Sequence, residues 1–70
     1  MGFNIYATLE RFLELYPDVE YLQLIYGNQI VNIDFNLEYC YSLSYLFMKQ
    51  IFVLYNYSED KKILILKYYV

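Results

Sequence analysis

Gly27-Asn28 stands between two apolar runs in a 70-residue chain that has only two glycines. A glycine-containing pair suits the positive φ of a two-residue turn, so it joins residues 19–26 to 29–36 as a tight hairpin. Setting Tyr26 opposite Gln29 then fixes every other pairing. One face collects Leu22, Leu24, Tyr26, Val31, Ile33 and Phe35; the other collects Val19, Tyr21, Gln23, Ile25, Ile30, Asn32, Asp34 and Asn36. A slip of one residue would exchange the two sets, and only the first is fit to be buried. That face needs a cover.

The spacing predicts the cover over residues 5–16. Ile5, Tyr6, Leu9, Phe12, Leu13 and Tyr16 make one stripe at helical period, with Thr8, Glu10, Arg11 and Glu14 on the wet side and Leu15 outside the stripe. Asn4 suits the N-cap, and Pro17-Asp18 ends the helix. Residues 51–57 and 62–69 predict a second hairpin turning through Ser58-Glu59-Asp60-Lys61, with Tyr57 opposite Lys62. Alternation then groups Ile51, Val53, Tyr55, Tyr57, Leu64, Leu66 and Tyr68 on one face. It sends Phe52, Leu54, Ile63 and Ile65 to the other, so both faces are apolar and one helix can cover only one of them.

Residues 38–48 alternate strictly. Tyr39, Tyr41, Leu43, Tyr45 and Phe47 take the odd positions, and Glu38, Cys40, Ser42 and Ser44 the even ones. Alternation with aromatic enrichment favours a strand; because Met48-Lys49-Gln50 lacks turn residues, a helix over part of 37–50 is the alternative. As a strand with a two-residue loop at Met48-Lys49, it aligns Tyr45 with Phe52 and Leu43 with Leu54. The small Cys40, Ser42 and Ser44 then lie beneath the helix. The expected fold is one α+β domain over residues 1–70: an N-terminal amphipathic helix packed on one face of a four- to five-stranded antiparallel sheet, a meander of hairpins.

Composition bounds the function. Tyrosine, with 11 copies, supplies the whole excess that lifts the apolar fraction to 60%, above the usual globular range. Histidine is absent and there is one cysteine, which removes most nucleophile–base pairs, the common zinc frameworks and any internal disulfide. No catalytic, cofactor-binding or metal-binding residue is assigned, and the chain is expected not to be an enzyme. Glu10 and Glu14 share a helix face at i, i+4, but two exposed acids are too few ligands for a cation. A chain this small, without such staples, draws stability from association, and a second copy is the simplest partner.

The net charge of −3 is uneven. Residues 1–38 carry Glu10, Glu14, Asp18, Glu20, Asp34 and Glu38 against Arg11 alone, whereas Lys49, Lys61, Lys62 and Lys67 lie in the second half. An acidic half repels phosphate and meets a basic protein surface. No secretory signal or uninterrupted apolar span is visible, so the expectation is a cytoplasmic protein with no membrane partner and Cys40 reduced. Phe, Tyr, Met, Ile, Asn and Lys heavily outnumber Gly, Ala, Arg and Pro, a bias of AT-rich genes, common in viruses, phages and mobile elements.

These observations point to a non-enzymatic protein-interaction module. Self-association, as a dimer, is assigned to an aromatic sheet face of Tyr39, Tyr41, Leu43, Tyr45, Phe52, Leu54, Ile63 and Ile65. The acidic residues Glu10, Glu14, Asp18 and Glu20 are assigned to a second protein with a basic or apolar site. The role expected is that of a viral or phage accessory protein inhibiting a host enzyme or defence factor in the host cytoplasm. Single-stranded nucleic-acid binding by the tyrosine-rich face is the alternative, disfavoured by the scarcity of nearby lysine and arginine; a subunit of a larger structural assembly is the other.

Overall fold

The first hairpin forms where Gly27-Asn28 places it. In the computed structural model, which describes residues 5–37 and 48–69, β2 (Tyr21–Tyr26) and β3 (Gln29–Asp34) pair antiparallel with Tyr26 opposite Gln29. Gly27 has φ +57 and Asn28 is not in the positive region, so the one positive φ of the turn falls on the glycine. Nothing lies within 4 Å of a Cβ built on Gly27, so backbone conformation rather than space asks for glycine there. Leu22, Leu24 and Ile33 are fully buried, with Val31, Tyr26 and Phe35 packed around them.

The predicted helix is shorter than its stripe. Tyr6–Thr8 form a strand, β1, and α1 spans only Leu9–Leu15. β1 pairs antiparallel with β4 (Ile51–Ser58), Tyr6 opposite Val53 and Thr8 opposite Ile51, because a sheet edge offers these three residues hydrogen bonds that a free helix end would lack. Thr8 is the N-cap: its hydroxyl oxygen accepts from the Arg11 amide at 3.2 Å. Leu9 N–H donates to the Gln50 carbonyl at 3.2 Å and Glu10 N–H to that of Met48 at 3.1 Å. Three amides of the first turn are thus satisfied, two of them by the turn that leads into β4. Leu9 and Phe12 are fully buried, Leu13 and Tyr16 pack against the core, and Ile5 and Tyr6 are exposed. Asn4 lies outside the described residues.

The sheet is mixed, not wholly antiparallel. Its order is β1-β4-β5-β2-β3, with β5 spanning Ile63–Tyr68, and β5 runs parallel to β2 from Tyr21 opposite Ile63 to Ile25 opposite Lys67. The two hairpins therefore join side by side through one strand of each. A strand in the middle of a sheet suits a continuous apolar run, and Ile63-Leu64-Ile65-Leu66 is one. The strand expected over 38–48 lies, as far as residue 47, outside the described residues, and Met48 stands in a turn. Phe52, expected opposite Tyr45, stands opposite Ala7 of β1 on one side and Tyr68 of β5 on the other.

The register of the second hairpin differs by a change of phase. Phe52 faces Tyr68 and Leu54 faces Leu66; the ladder then shifts, so that Asn56 faces Ile65 and Tyr57 faces Leu64. Tyr55 is the extra residue of a β-bulge. The bulge lets Phe52, Leu54 and Tyr57 share the core side with Leu64, Leu66 and Tyr68. Three rows of side chains cross the sheet beneath α1: Ala7, Phe52 and Tyr68; Leu54, Leu66, Leu24 and Val31; Tyr57, Leu64, Leu22 and Ile33. Phe52 is fully buried, so its placement on the outer face is corrected, and Leu54 packs against the core as well.

Tyr26 closes one end of this core. Its ring lies 5.8 Å from that of Phe52 and 4.8 Å from that of Tyr68, and its hydroxyl donates to the Gln50 side-chain oxygen. Burial, with Tyr68 close by, pushes its phenol up to about 12.

Three outcomes follow. Phe52→Ala lowers unfolding free energy by about 3–5 kcal/mol in urea titration, the range for emptying a packed core site; a loss under about 1 kcal/mol would return Phe52 to the surface. Gly27→Ala costs about 1 kcal/mol in the same assay, through backbone strain alone. Tyr26 stays protonated in the fold while the unfolded chain releases that proton near pH 10. Its contribution is complete below pH 10 and is lost as pH rises toward about 12. Urea midpoints measured from pH 9 upward, as order-of-magnitude bounds on that window, should fall less steeply for Tyr26→Phe than for the parent chain.

Candidate interaction surfaces

Alternation that buries one side of the sheet turns the other side outward. One outer row reads Tyr6, Val53, Lys67, Ile25 and Ile30 across all five strands; beside it Thr8 faces Ile51. The next rows are Asn56, Ile65, Gln23 and Asn32, then Ser58, Ile63, Tyr21 and Asp34. Tyr6 and Tyr69 meet edge to face at 4.9 Å, and the Tyr69 amide ties that residue to the Ile51 carbonyl. Tyr55, Tyr69, Ile30 and Tyr6 are each more than half exposed. Among the described residues, no element packs over this face.

The residues assigned to self-association divide. Ile63 and Ile65 do lie on the outer face, half-buried between neighbouring strands, whereas Phe52 and Leu54 lie on the inner one. Tyr39, Tyr41, Leu43 and Tyr45 lie outside the described residues. In their place the outer face carries Tyr6, Ile30, Ile51, Val53 and Tyr69. Tyr6 was hidden from a sequence reading because it also fits the helical stripe. Val53 and Ile51 were hidden because the bulge at Tyr55 decides which half of β4 faces out.

The acidic residues are not equivalent. Glu14 is held by Arg11 at 2.9 Å across one helical turn. Both groups are exposed, so the pair adds at most a few tenths of a kcal/mol. Glu20 approaches Lys62 at 3.9 Å, and the backbone amides of Glu20 and Tyr21 both donate to the Lys62 carbonyl, at 2.9 and 3.1 Å. Glu10 and Asp18 are exposed and make no ion pair with a described residue.

Asp18 instead borders a groove of about 400 Å³ between the α1–β2 connection and the β4–β5 turn. Tyr16 and Tyr57 meet along it with centroids 4.5 Å apart and planes tilted by 37°. Lys62, on the same groove, has φ +56, the one described non-glycine residue in the left-handed region. No group of three metal-ligating side chains occurs among the described residues, and no described helix is long and apolar enough to cross a membrane. Comparison with protein-family models, with curated proteins and with solved structures returned no match to this chain.

Proposed function

We propose that the chain is a small non-enzymatic interaction module that self-associates through the outer face of its sheet. Its acidic side, from Glu10 to Glu20, is left for a second protein with a basic or apolar site. In the role this suggests, a viral or phage accessory protein binds and inhibits a host enzyme or defence factor in the host cytoplasm. That role rests on size and composition, which favour a minimal binding body over a catalyst.

The observation that supports self-association most directly is the row of Tyr6, Val53, Ile25 and Ile30, apolar on four of the five strands with Lys67 on the central one, with no described element above it. Exposed apolar patches of this extent mark interaction sites, and tyrosine suits them because it offers contact area at little side-chain entropy. Five strands about 4.8 Å apart and averaging about six residues present roughly 480 Å² in flat projection. Two such faces meet the ~1,000 Å² total that a specific interface needs. Stacking of unpaired bases on these tyrosines is the competing use, but among the rows of this face only Lys67 is cationic.

Light scattering during gel filtration at micromolar concentration should report twice the chain mass. Ile51→Glu and Ile65→Glu should each give a folded monomer, with the far-ultraviolet circular dichroism of the parent; Leu54→Glu, on the inner side, should unfold the chain. A parent chain that elutes as a clean monomer would overturn the reading. A dimer unaffected by either outer substitution would move the interface elsewhere. A salt-sensitive shift with oligo-dT would favour the nucleic-acid alternative.

A further inference from the structure

The groove beside Asp18 has the chemistry of a receptor for one kind of side chain. Leu15 and Pro17 give it an apolar wall, and Tyr16 and Tyr57 an aromatic one. Asp18 reaches it from the α1–β2 connection and Glu59 from the β4–β5 turn. Neither carboxylate has a hydrogen bond or ion pair with a described residue. Lys62, the one cation on the lining, stands 3.9 Å from Glu20.

The two segments that line the groove are tied to each other beside it. The Lys62 carbonyl accepts from the successive amides of Glu20 and Tyr21, just past Asp18 in the chain. Lysine holds this position at φ +56, a conformation that L-residues with a side chain adopt only under constraint.

We infer that this groove receives an arginine side chain from a basic segment of the partner protein. A guanidinium gains from contact with tyrosine rings and forms charge-assisted hydrogen bonds with carboxylates. Its aliphatic stem lies along apolar surface such as Leu15 and Pro17 provide. An anionic ligand meets two carboxylates against the single cation Lys62, which already stands beside Glu20, and an apolar one leaves both carboxylates desolvated and unpaired. The inference rests on reading the chain as an interaction module, and it names the chemistry of the second partner.

The test is a two-dimensional amide NMR titration of the full chain with the peptide acetyl-Gly-Arg-Gly-Arg-Gly-amide. The control is the same peptide with citrulline, which keeps the shape and removes the charge. The arginine peptide should give saturable shifts confined to residues 15–18 and 57–62, and the citrulline peptide should bind at least about tenfold more weakly. Asp18→Asn with Glu59→Gln, both at exposed positions, should weaken the arginine peptide by a similar factor while leaving amides elsewhere unmoved. Equal binding of the two peptides would overturn the inference. So would shifts spread to Glu10 and Asp34 that the double substitution leaves unchanged. Light scattering on the same samples separates the two ideas: loss of peptide binding in a chain that still has twice its monomer mass bears on the groove alone.

Discussion

Everything in this fold hangs on the parallel ladder between β2 and β5. Each hairpin is a local structure, closed by its own turn. Only the pairing of Tyr21 through Ile25 with Ile63 through Lys67 makes them one sheet. Parallel pairing is slightly weaker per residue than antiparallel, so backbone hydrogen bonds alone would be a poor seam. Side chains supply the rest. Leu22 beside Leu64 and Leu24 beside Leu66 are all fully buried under Phe12 and Leu9, and each such burial contributes about 1.5–3 kcal/mol. The short helix thus acts as a clasp over the join, and its own first turn is held by the backbone of Met48 and Gln50.

Much of this was legible in the residues. Gly27-Asn28 placed the first hairpin and its register to the residue, because a two-residue turn leaves no freedom. Pro17 marked the end of α1, and the buried part of the stripe, Leu9, Phe12, Leu13 and Tyr16, was read correctly. Tyr6 was misread because its position satisfies a period of 3.6 and a period of 2 alike, and only the free edge of β4 decides between them. The parallel seam had a trace in Ile63-Leu64-Ile65-Leu66. An apolar run on both faces says that a strand is central, but not which neighbour lies on which side or in which direction.

The candidate surfaces were less legible, for the same reason. Whether Phe52 or Val53 faces out depends on one extra residue at Tyr55, and strict alternation cannot show an insertion. Ile63 and Ile65 kept their outward assignment because β5 carries no bulge. The acidic residues were found as a group, yet charge counting could not separate Glu14, paired within its helix, from Asp18. Asp18 becomes distinct only when the chain brings it to the same groove as Tyr57 and Glu59, about forty residues away in sequence.

The bulge at Tyr55 also shapes the energy landscape of the chain. From Ile51 to Tyr55 both alternating sets are apolar, so an unbulged β4 could present Val53, Tyr55 and Tyr57 to the core and keep Phe52 and Leu54 outside. Local hydrophobic pattern hardly discriminates between the two registers; a competitor differing by one residue is frustration of a simple kind. The native arrangement wins by what it brings together: the ring of Phe52 against those of Tyr26 and Tyr68. The contact with Tyr26 joins the second hairpin to the first, so neither hairpin can make it alone. The phase of β4 is therefore chosen by tertiary structure, and a chain docked out of phase must separate its strands before it can correct itself.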